Sequence, residues 1–266
     1  MARVPRTVLQ LFWHGRLQGC RASIHYLIAP HCYMSVEPVS TVPVRVWDLP
    51  TRLFHWALAL LVVVLVVSGT VGGLWMEWHL RAGMGVLALL LFRLVWGVIG
   101  GHWSRFANFL YSPSRMLRYL RGDGQALDEV GHSPAGALSV WAMLLVLGVQ
   151  GVIGLFAYDD IAFSGPLAHL VSNDTVSTLT GLHKLAKPLI ISLVLLHVGA
   201  IVFYRVARKR NLVGPMLLGD KQLPPGTPAS RDSAGTRLLA LLLFAACAGF
   251  MVWVSSLAGE VSASYM

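Results

Sequence analysis

Charged side chains are scarce in this sequence. Asp, Glu, Lys and Arg make up 12% of its 266 residues, whereas hydrophobic residues make up 56%. Soluble domains usually carry about twice that share of charge, so the composition excludes an ordinary soluble domain and favours a multispanning membrane protein. The net charge of +9 does not indicate nucleic-acid binding, because the basic residues lie in short runs between apolar segments.

Cysteine is scarce as well, and its scarcity excludes several kinds of site. The three cysteines, Cys20, Cys32 and Cys247, form no paired framework. No CxxCH motif is present, so nothing supports haem attached covalently through cysteine. No cluster of sulfur and histidine ligands has the short spacing of a structural zinc site.

Long apolar runs are abundant. A membrane-spanning helix needs ~20 apolar residues, and five segments reach that length. They run approximately over Leu53 to Trp75, Leu80 to Gly101, Ala135 to Tyr158, His183 to Arg205 and Leu238 to Ala258. We therefore predict an all-α membrane protein in which a four-helix transmembrane bundle is followed by a fifth, C-terminal transmembrane helix.

The segments around these runs define the expected domains. Residues 1–33 are polar and basic and are expected to lie outside the fold, and residues 1–43 are expected to form an N-terminal cytoplasmic extension. Residues 44–222 are predicted to form the four-helix domain. A Pro/Gly-rich linker at 223–235 then leads to the additional helix and short tail at 236–266.

Lys and Arg are distributed unevenly between the two sets of loops. Near the ends of the spans, thirteen of these residues lie on one side and only Arg81, Lys184 and Lys187 lie on the other. Cytoplasmic loops carry the excess of Lys and Arg. The sequence therefore predicts a cytoplasmic N-terminus and a periplasmic C-terminus.

Histidines within the apolar segments are the most informative residues. His183 and His197 lie fourteen residues apart, which on a helix is ~21 Å of rise and brings the rings within roughly 40° of one face. Pro188 cannot donate a backbone hydrogen bond, so this span is expected either to kink or to begin near Lys187. An ionisable residue inside a span is a functional-site hypothesis by default.

His55 and His79 lie in the first two spans and complete two layers. The predicted topology places His55 with His197 near the cytoplasm, and His79 with His183 near the outer face. Two imidazoles from neighbouring helices at one depth can ligate a haem iron on both faces. The four histidines therefore predict two haem sites.

Two arginines are candidates to pair with the haem propionates. Arg93 follows His79 by fourteen residues, so it lies at the inner layer on the same helical face. The alternative is that its side chain snorkels to the interface. Arg52 is a second inner candidate, for which snorkelling is the favoured alternative. Three further histidines lie outside the strong apolar segments and are expected to be solvated or interfacial: His102, His132 and His169.

The pattern resembles a known family, the bacterial cytochrome b561 and nickel-hydrogenase cytochrome b proteins. The resemblance covers about Val44 to Lys221. Its residues are WDLPTRLFHW ending in His55 and Trp56, His79 followed by Gly83 and Arg93, the thirteen residues between His183 and His197, and the GHSPAG and PMLLGDK segments.

This resemblance implies a four-helix cytochrome with two b-type haems in a bacterial inner membrane, with ligands from the first, second and fourth spans. It also implies electron exchange in a respiratory chain between the quinone pool and a partner redox protein. A c-type cytochrome or a dehydrogenase or reductase subunit is the expected partner. We expect an electron-transfer subunit rather than a stand-alone catalyst, because bis-histidine ligation leaves no open position on the iron.

Two other functions remain open from the residues alone. The histidines could relay protons in a proton-coupled transporter, although the spans lack paired carboxylates and Gln150 is their only mid-span amide. The chain could also be an inert membrane anchor of a redox complex. That function leaves the four layered histidines unexplained.

Overall fold

Five long apolar helices dominate the computed structural model, which describes residues 40–124, 126–159 and 162–258. All described residues belong to one unit, residues 39–266. The elements in chain order are β1 (Val42–Arg45), α1 (Leu49–Val71), α2 (Met76–Ile99), α3 (Pro113–Leu120), α4 (Pro134–Gly154), α5 (Asn173–Val206), α6 (Val213–Leu218), β2 (Asp220–Leu223) and α7 (Ala234–Ser256). Within the described residues, five helices (α1, α2, α4, α5 and α7) are long and apolar enough to cross a membrane, which confirms the predicted spans.

Polar side chains cap the N-termini of four of these five helices. The carboxylate of Asp48 accepts a hydrogen bond from the backbone N–H of Thr51 at the start of α1. Ser133, Ser172 and Ser233 cap α4, α5 and α7 in the same way. Such caps satisfy N–H groups that have no partner within the helix.

The long helix α5 carries two of the four histidines. It begins at Asn173 and continues through Pro188 without a break. Of the two expectations for this span, a start near Lys187 is therefore wrong. Because one unbroken helix contains both His183 and His197, the separation of these residues along the axis follows the ordinary helical rise.

An apolar cluster contributed by four helices lies midway along the bundle. Its members are Val62 of α1, Val86 and Leu90 of α2, and Leu147 of α4, with Ile190 and Val194 of α5 packed against them. On α1, α2 and α5, which carry the histidines, the residues of this cluster lie toward the middle of the span. The cluster therefore separates the histidines into two levels.

Helix α7 is an integral part of this bundle. Ala240 packs with Phe54 of α1 and Phe92 of α2. Further along, Met251 packs with Leu87 of α2. Helices in lipid associate through close packing of this kind rather than through exclusion of water. The fifth span thus does more than anchor the chain, because it covers one side of α2.

A two-stranded antiparallel sheet lies outside the spans, where the sequence predicted only helices. Strand β1 pairs with β2, from Val42 opposite Leu223 to Arg45 opposite Asp220. The strand therefore takes in the last two residues of the predicted N-terminal extension. Residues 1–39 of that extension lie outside the described residues.

The predicted linker at 223–235 is bonded closely to the rest of the fold. The Ser230 hydroxyl donates to the carbonyl of Val46 (2.7 Å), and the Trp103 indole donates to the carbonyl of Pro228 (2.8 Å). Asp232 accepts a hydrogen bond from the side chain of Arg45 (2.8 Å). The segment therefore ties α7 to the beginning of α1.

The side chain of Asp48 joins several elements at this end of the bundle. It is completely buried and accepts hydrogen bonds from the N–H of Thr51 (2.8 Å), the N–H of Gly101 (3.0 Å) and the hydroxyl of Ser104 (2.9 Å). The indole of Trp96 also donates to it. One carboxylate thus connects the start of α1 to the end of α2 and to the following loop.

Replacing Asp48 should therefore destabilise the protein. In Asp48→Asn an amide group replaces one acceptor oxygen, and at least one buried donor loses its partner. An unsatisfied buried donor costs about 1–3 kcal/mol, so we expect a clear fall in the unfolding temperature of the detergent-solubilised protein. The exposed helix-start residue Asp174 provides the control, Asp174→Asn. An equal, small effect of the two substitutions would contradict this role for Asp48.

Candidate functional site

The four intramembrane histidines meet in two pairs. The ring centroids of His55, on α1, and His197, on α5, lie 6.4 Å apart with an interplanar angle of 50°. Those of His79, on α2, and His183, on α5, lie 6.0 Å apart at 81°. All four residues are half-buried. We call these the inner pair (His55, His197) and the outer pair (His79, His183).

These separations suit two imidazoles on opposite faces of one metal ion. A metal–nitrogen bond of about 2 Å, with the nitrogen about 1 Å from its ring centre, puts such centroids roughly 6 Å apart. Within the part of the chain that the structure describes, no group of three or more His, Cys, Asp or Glu side chains could hold a bare metal ion. A pair of imidazoles instead fits a metal that brings its own equatorial ligands, as the iron of a porphyrin does.

The environment of His79 fixes which of its nitrogens is available. Its Nδ1 lies 3.1 Å from the carbonyl oxygen of Leu65 and 3.3 Å from the hydroxyl of Ser68. Because a carbonyl only accepts, Nδ1 carries the proton and Nε2 retains its lone pair. Metal-ligating histidines commonly donate their second nitrogen to a backbone carbonyl in this way.

Two glycines allow close approach of the outer-pair rings. A Cβ atom at Gly69 of α1 would lie 2.9 Å from the ring of His79, and one at Gly154 of α4 would lie 3.0 Å from the ring of His183. Sequence analysis did not identify Gly69. The spacing could have identified it. Gly69 follows His55 by fourteen residues and therefore lies on the same helical face, at the level of the outer pair.

A polar contact also holds the backbone next to the outer pair. The side-chain amide of Gln150 donates to the carbonyl of His183 (2.8 Å). The Nδ1 atoms of His55 and His183 are buried and have no hydrogen-bond partner among the described residues. Structural histidines normally satisfy such atoms, so these rings fit ligand-binding roles better than structural ones.

The two candidate arginines differ in their surroundings. Arg93 is 3% exposed, donates to the carbonyl of Ser104 (2.9 Å), and lies over the ring of Phe106. Its side chain is thus enclosed by protein and does not extend toward the surface. Arg52 is half-buried and donates to the carbonyl of Leu217 in α6. Its Nε atom is buried without a partner.

The three remaining candidate histidines occupy different environments. His169 is exposed, as expected. His102 is half-buried, and its pKa is lowered by burial and then by the charge of Arg105. His132, which was expected to be solvated or interfacial, packs against aromatic rings. Its ring packs 4.4 Å from Phe109 and 4.7 Å from Trp47, and its Nδ1 is buried.

The PMLLGDK segment contacts the chain just before the GHSPAG segment. The ammonium group of Lys221 donates to the carbonyls of Glu129 (3.1 Å) and Val130 (2.6 Å). Burial lowers the pKa of Lys221 to about 8. The tail segment thus holds the loop that leads into α4.

A family of known proteins has a model that matches most of this bundle. The model of the prokaryotic cytochrome b561 proteins matches residues 46–219. The chain belongs to this family. The cytochrome is also 23% identical over 221 residues to a protein from Bradyrhizobium diazoefficiens described as a probable Ni/Fe-hydrogenase B-type cytochrome subunit. That similarity covers 67% of this chain and 86% of the relative.

Family membership makes this protein a b-type cytochrome, a haem-binding, multi-pass membrane protein of electron transport. The resemblance predicted from the sequence is thereby confirmed. Both histidine pairs, Arg52 and Arg93 lie within the matched residues.

Adding one methyl group at Gly69 should disturb the outer pair of this cytochrome. In Gly69→Ala the new Cβ would lie 2.9 Å from two ring atoms of His79, so the ring must move. We expect a changed low-spin haem signal in electron paramagnetic resonance (EPR) spectra. Gly249→Ala on α7 is the control, because a Cβ at Gly249 meets nothing within 4 Å. Identical spectra for Gly69→Ala and the wild-type protein would show that His79 is not a ligand.

Proposed function

We propose that this cytochrome binds two b-type haems, one between the inner-pair histidines and one between the outer-pair histidines, and passes electrons across the membrane. The observation that carries this proposal is the pairing on α5. This one helix supplies both His197 and His183. The ring of His55 lies 6.4 Å from that of His197, and the ring of His79 lies 6.0 Å from that of His183. Both distances suit bis-imidazole ligation of iron.

In this proposal the histidines hold and orient the haems. When bound, haem supplies the reversible one-electron chemistry of iron. A neutral imidazole can ligate iron without bringing an unpaired charge into the membrane. With one imidazole on each face, neither iron would have an open position for a substrate. In the outer pair, the hydrogen bond from His79 to Leu65 fixes the ring orientation and increases the basicity of the ligating nitrogen.

The spacing along α5 supports electron transfer across most of the bilayer. Fourteen residues separate His183 from His197, a rise of ~21 Å along the helix. The hydrocarbon core is ~30 Å thick. Two haems at these levels would leave only short distances to partners at the two surfaces.

We infer that the inner pair faces the cytoplasm of a bacterium and that the protein lies in the inner membrane. Thirteen Lys and Arg residues lie near span ends at the inner-pair side and three at the other side. By the positive-inside rule this places the N-terminus in the cytoplasm and the C-terminus in the periplasm.

The electron partners follow from the site and from the relative. We propose that quinone in the lipid exchanges electrons with the cytochrome, and that the second partner is a redox protein. The description of the Bradyrhizobium relative as a hydrogenase cytochrome subunit supports a dehydrogenase or reductase subunit. A c-type cytochrome is the other candidate. The protein then acts as the membrane subunit of a respiratory complex.

Removing one inner-pair ligand tests this proposal. The pyridine haemochrome assay on purified protein should give about two haems per chain for the wild type and about one for His197→Ala. His169→Ala is the matched control and should retain both, because His169 lies exposed in a loop.

The other two functions predict different outcomes of the same experiment. A proton-relaying transporter predicts lost proton flux in His197→Ala with no change in haem content. An inert anchor predicts no change in either. Wild-type protein that binds fewer than two haems would refute the two-haem proposal directly.

A further inference from the structure

Three polar side chains near the inner pair each have a buried nitrogen with no hydrogen-bond partner among the described residues. The atoms are Nη1 of Arg93, Nδ1 of His132 and Nε1 of Trp141. Buried polar atoms in folded proteins are nearly always paired. Three exceptions in one region therefore indicate a shared binding role.

Two phenylalanine rings hold these three side chains together. Phe106 lies 4.5 Å from the guanidinium of Arg93 and 4.7 Å from the ring of Trp141. Phe109 lies 4.4 Å from the ring of His132, and 5.9 Å from both Arg93 and Trp141. We call these five residues the donor cluster. It joins α2, the loop that follows α2, the segment that leads into α4, and the second turn of α4.

The donor cluster lies beside the inner pair. Phe54 and Phe92, the residues that precede His55 and Arg93, pack in one apolar cluster. Burial and then the positive charges of Arg93 and Lys221 lower the pKa of His132 to about 3. They keep His132 neutral at physiological pH, so that one of its nitrogens donates a hydrogen bond and the other accepts.

The chemistry of the cluster indicates what it binds. Arg and Trp side chains are donors only, and a neutral imidazole provides one further donor. Among the described residues, no carboxylate lies within ion-pair distance of Arg93. The complementary ligand accepts several hydrogen bonds and carries a negative charge, as a carboxylate does.

We propose that Arg93, His132 and Trp141 form a carboxylate site that binds a propionate of the haem held by His55 and His197. This inference rests on the proposed function and adds His132 and Trp141 to the residues that hold the inner haem. In this role they are positioning and tuning residues, since they act on the iron through the propionate.

The site has a consequence for the redox potential. Hydrogen bonds and the charge of Arg93 compensate the negative charge of the propionate. An uncompensated anion near the iron would favour Fe(III) over Fe(II), because Fe(III) carries the larger positive charge. Removing a donor should therefore lower the midpoint potential of the inner haem and leave the outer haem unchanged.

Potentiometric titration of Trp141→Phe and His132→Leu in the intact, haem-loaded protein tests the proposal. Each substitution removes a donor and retains an apolar side chain. The inner haem is identified as the titration component that is missing in His197→Ala. We expect its midpoint potential to be lower in both variants than in the wild type. His132→Asn keeps an amide donor near the position of Nδ1 and should restore part of the shift.

Trp103→Phe is the matched control for these variants. It makes the same change at the same end of the bundle, but the Trp103 indole donates to the carbonyl of Pro228. It should leave both midpoint potentials at their wild-type values even if it lowers the unfolding temperature.

The remaining outcomes separate this inference from the proposed function. Wild-type protein with fewer than two haems contradicts the proposed function itself. Two bound haems with unchanged potentials in both Trp141→Phe and His132→Leu contradict the carboxylate site alone. Slower reduction by quinol with unchanged potentials would assign the cluster to a quinone and would equally overturn the proposal.

Discussion

The fixed rise of one helix governs the arrangement of this protein. At ~1.5 Å per residue, α5 holds His183 and His197 at two levels that no side-chain movement can bring together. A histidine pair forms at each level only if a second helix presents a histidine at the same height. Helix α1 does so with His55 and α2 with His79. The register of α1 and α2 against α5 is therefore the property that the remaining packing has to maintain.

Different interactions maintain that register at different depths. In the middle of the bundle, apolar side chains such as Val62, Leu90 and Val194 pack between the two levels. At the inner-pair end, the buried carboxylate of Asp48 joins α1 to the end of α2. Polar networks of this kind are favourable only when all their members are satisfied, and Asp48 accepts bonds through both of its oxygens.

Much of the fold and of the candidate site follows from the sequence alone. The spans are identified by the absence of charge over ~20 residues, and the histidine pairs by a spacing of fourteen residues combined with alternating helix direction. Both are local or periodic properties, which a single sequence displays directly. The prediction that His55 faces His197 and His79 faces His183 needed no information about side-chain packing.

Other features depend on contacts between distant parts of the chain, and the sequence did not predict them. The pairing of β1 with β2 joins residues nearly 180 positions apart. The ring of His132 packs against Trp47 and Phe109, which lie far from it in the sequence. The segment at 223–235 has the composition of a linker, yet Ser230 and Asp232 bind β1 and the start of α1.

EPR spectroscopy of the oxidised, purified protein tests whether both histidine pairs ligate haem, because the spectrum reports the ligands of each iron. Ligation by both pairs predicts two low-spin ferric haem signals, each with the features of two imidazole ligands, and no high-spin signal. A single low-spin signal, or a high-spin haem with an open position on the iron, would contradict it.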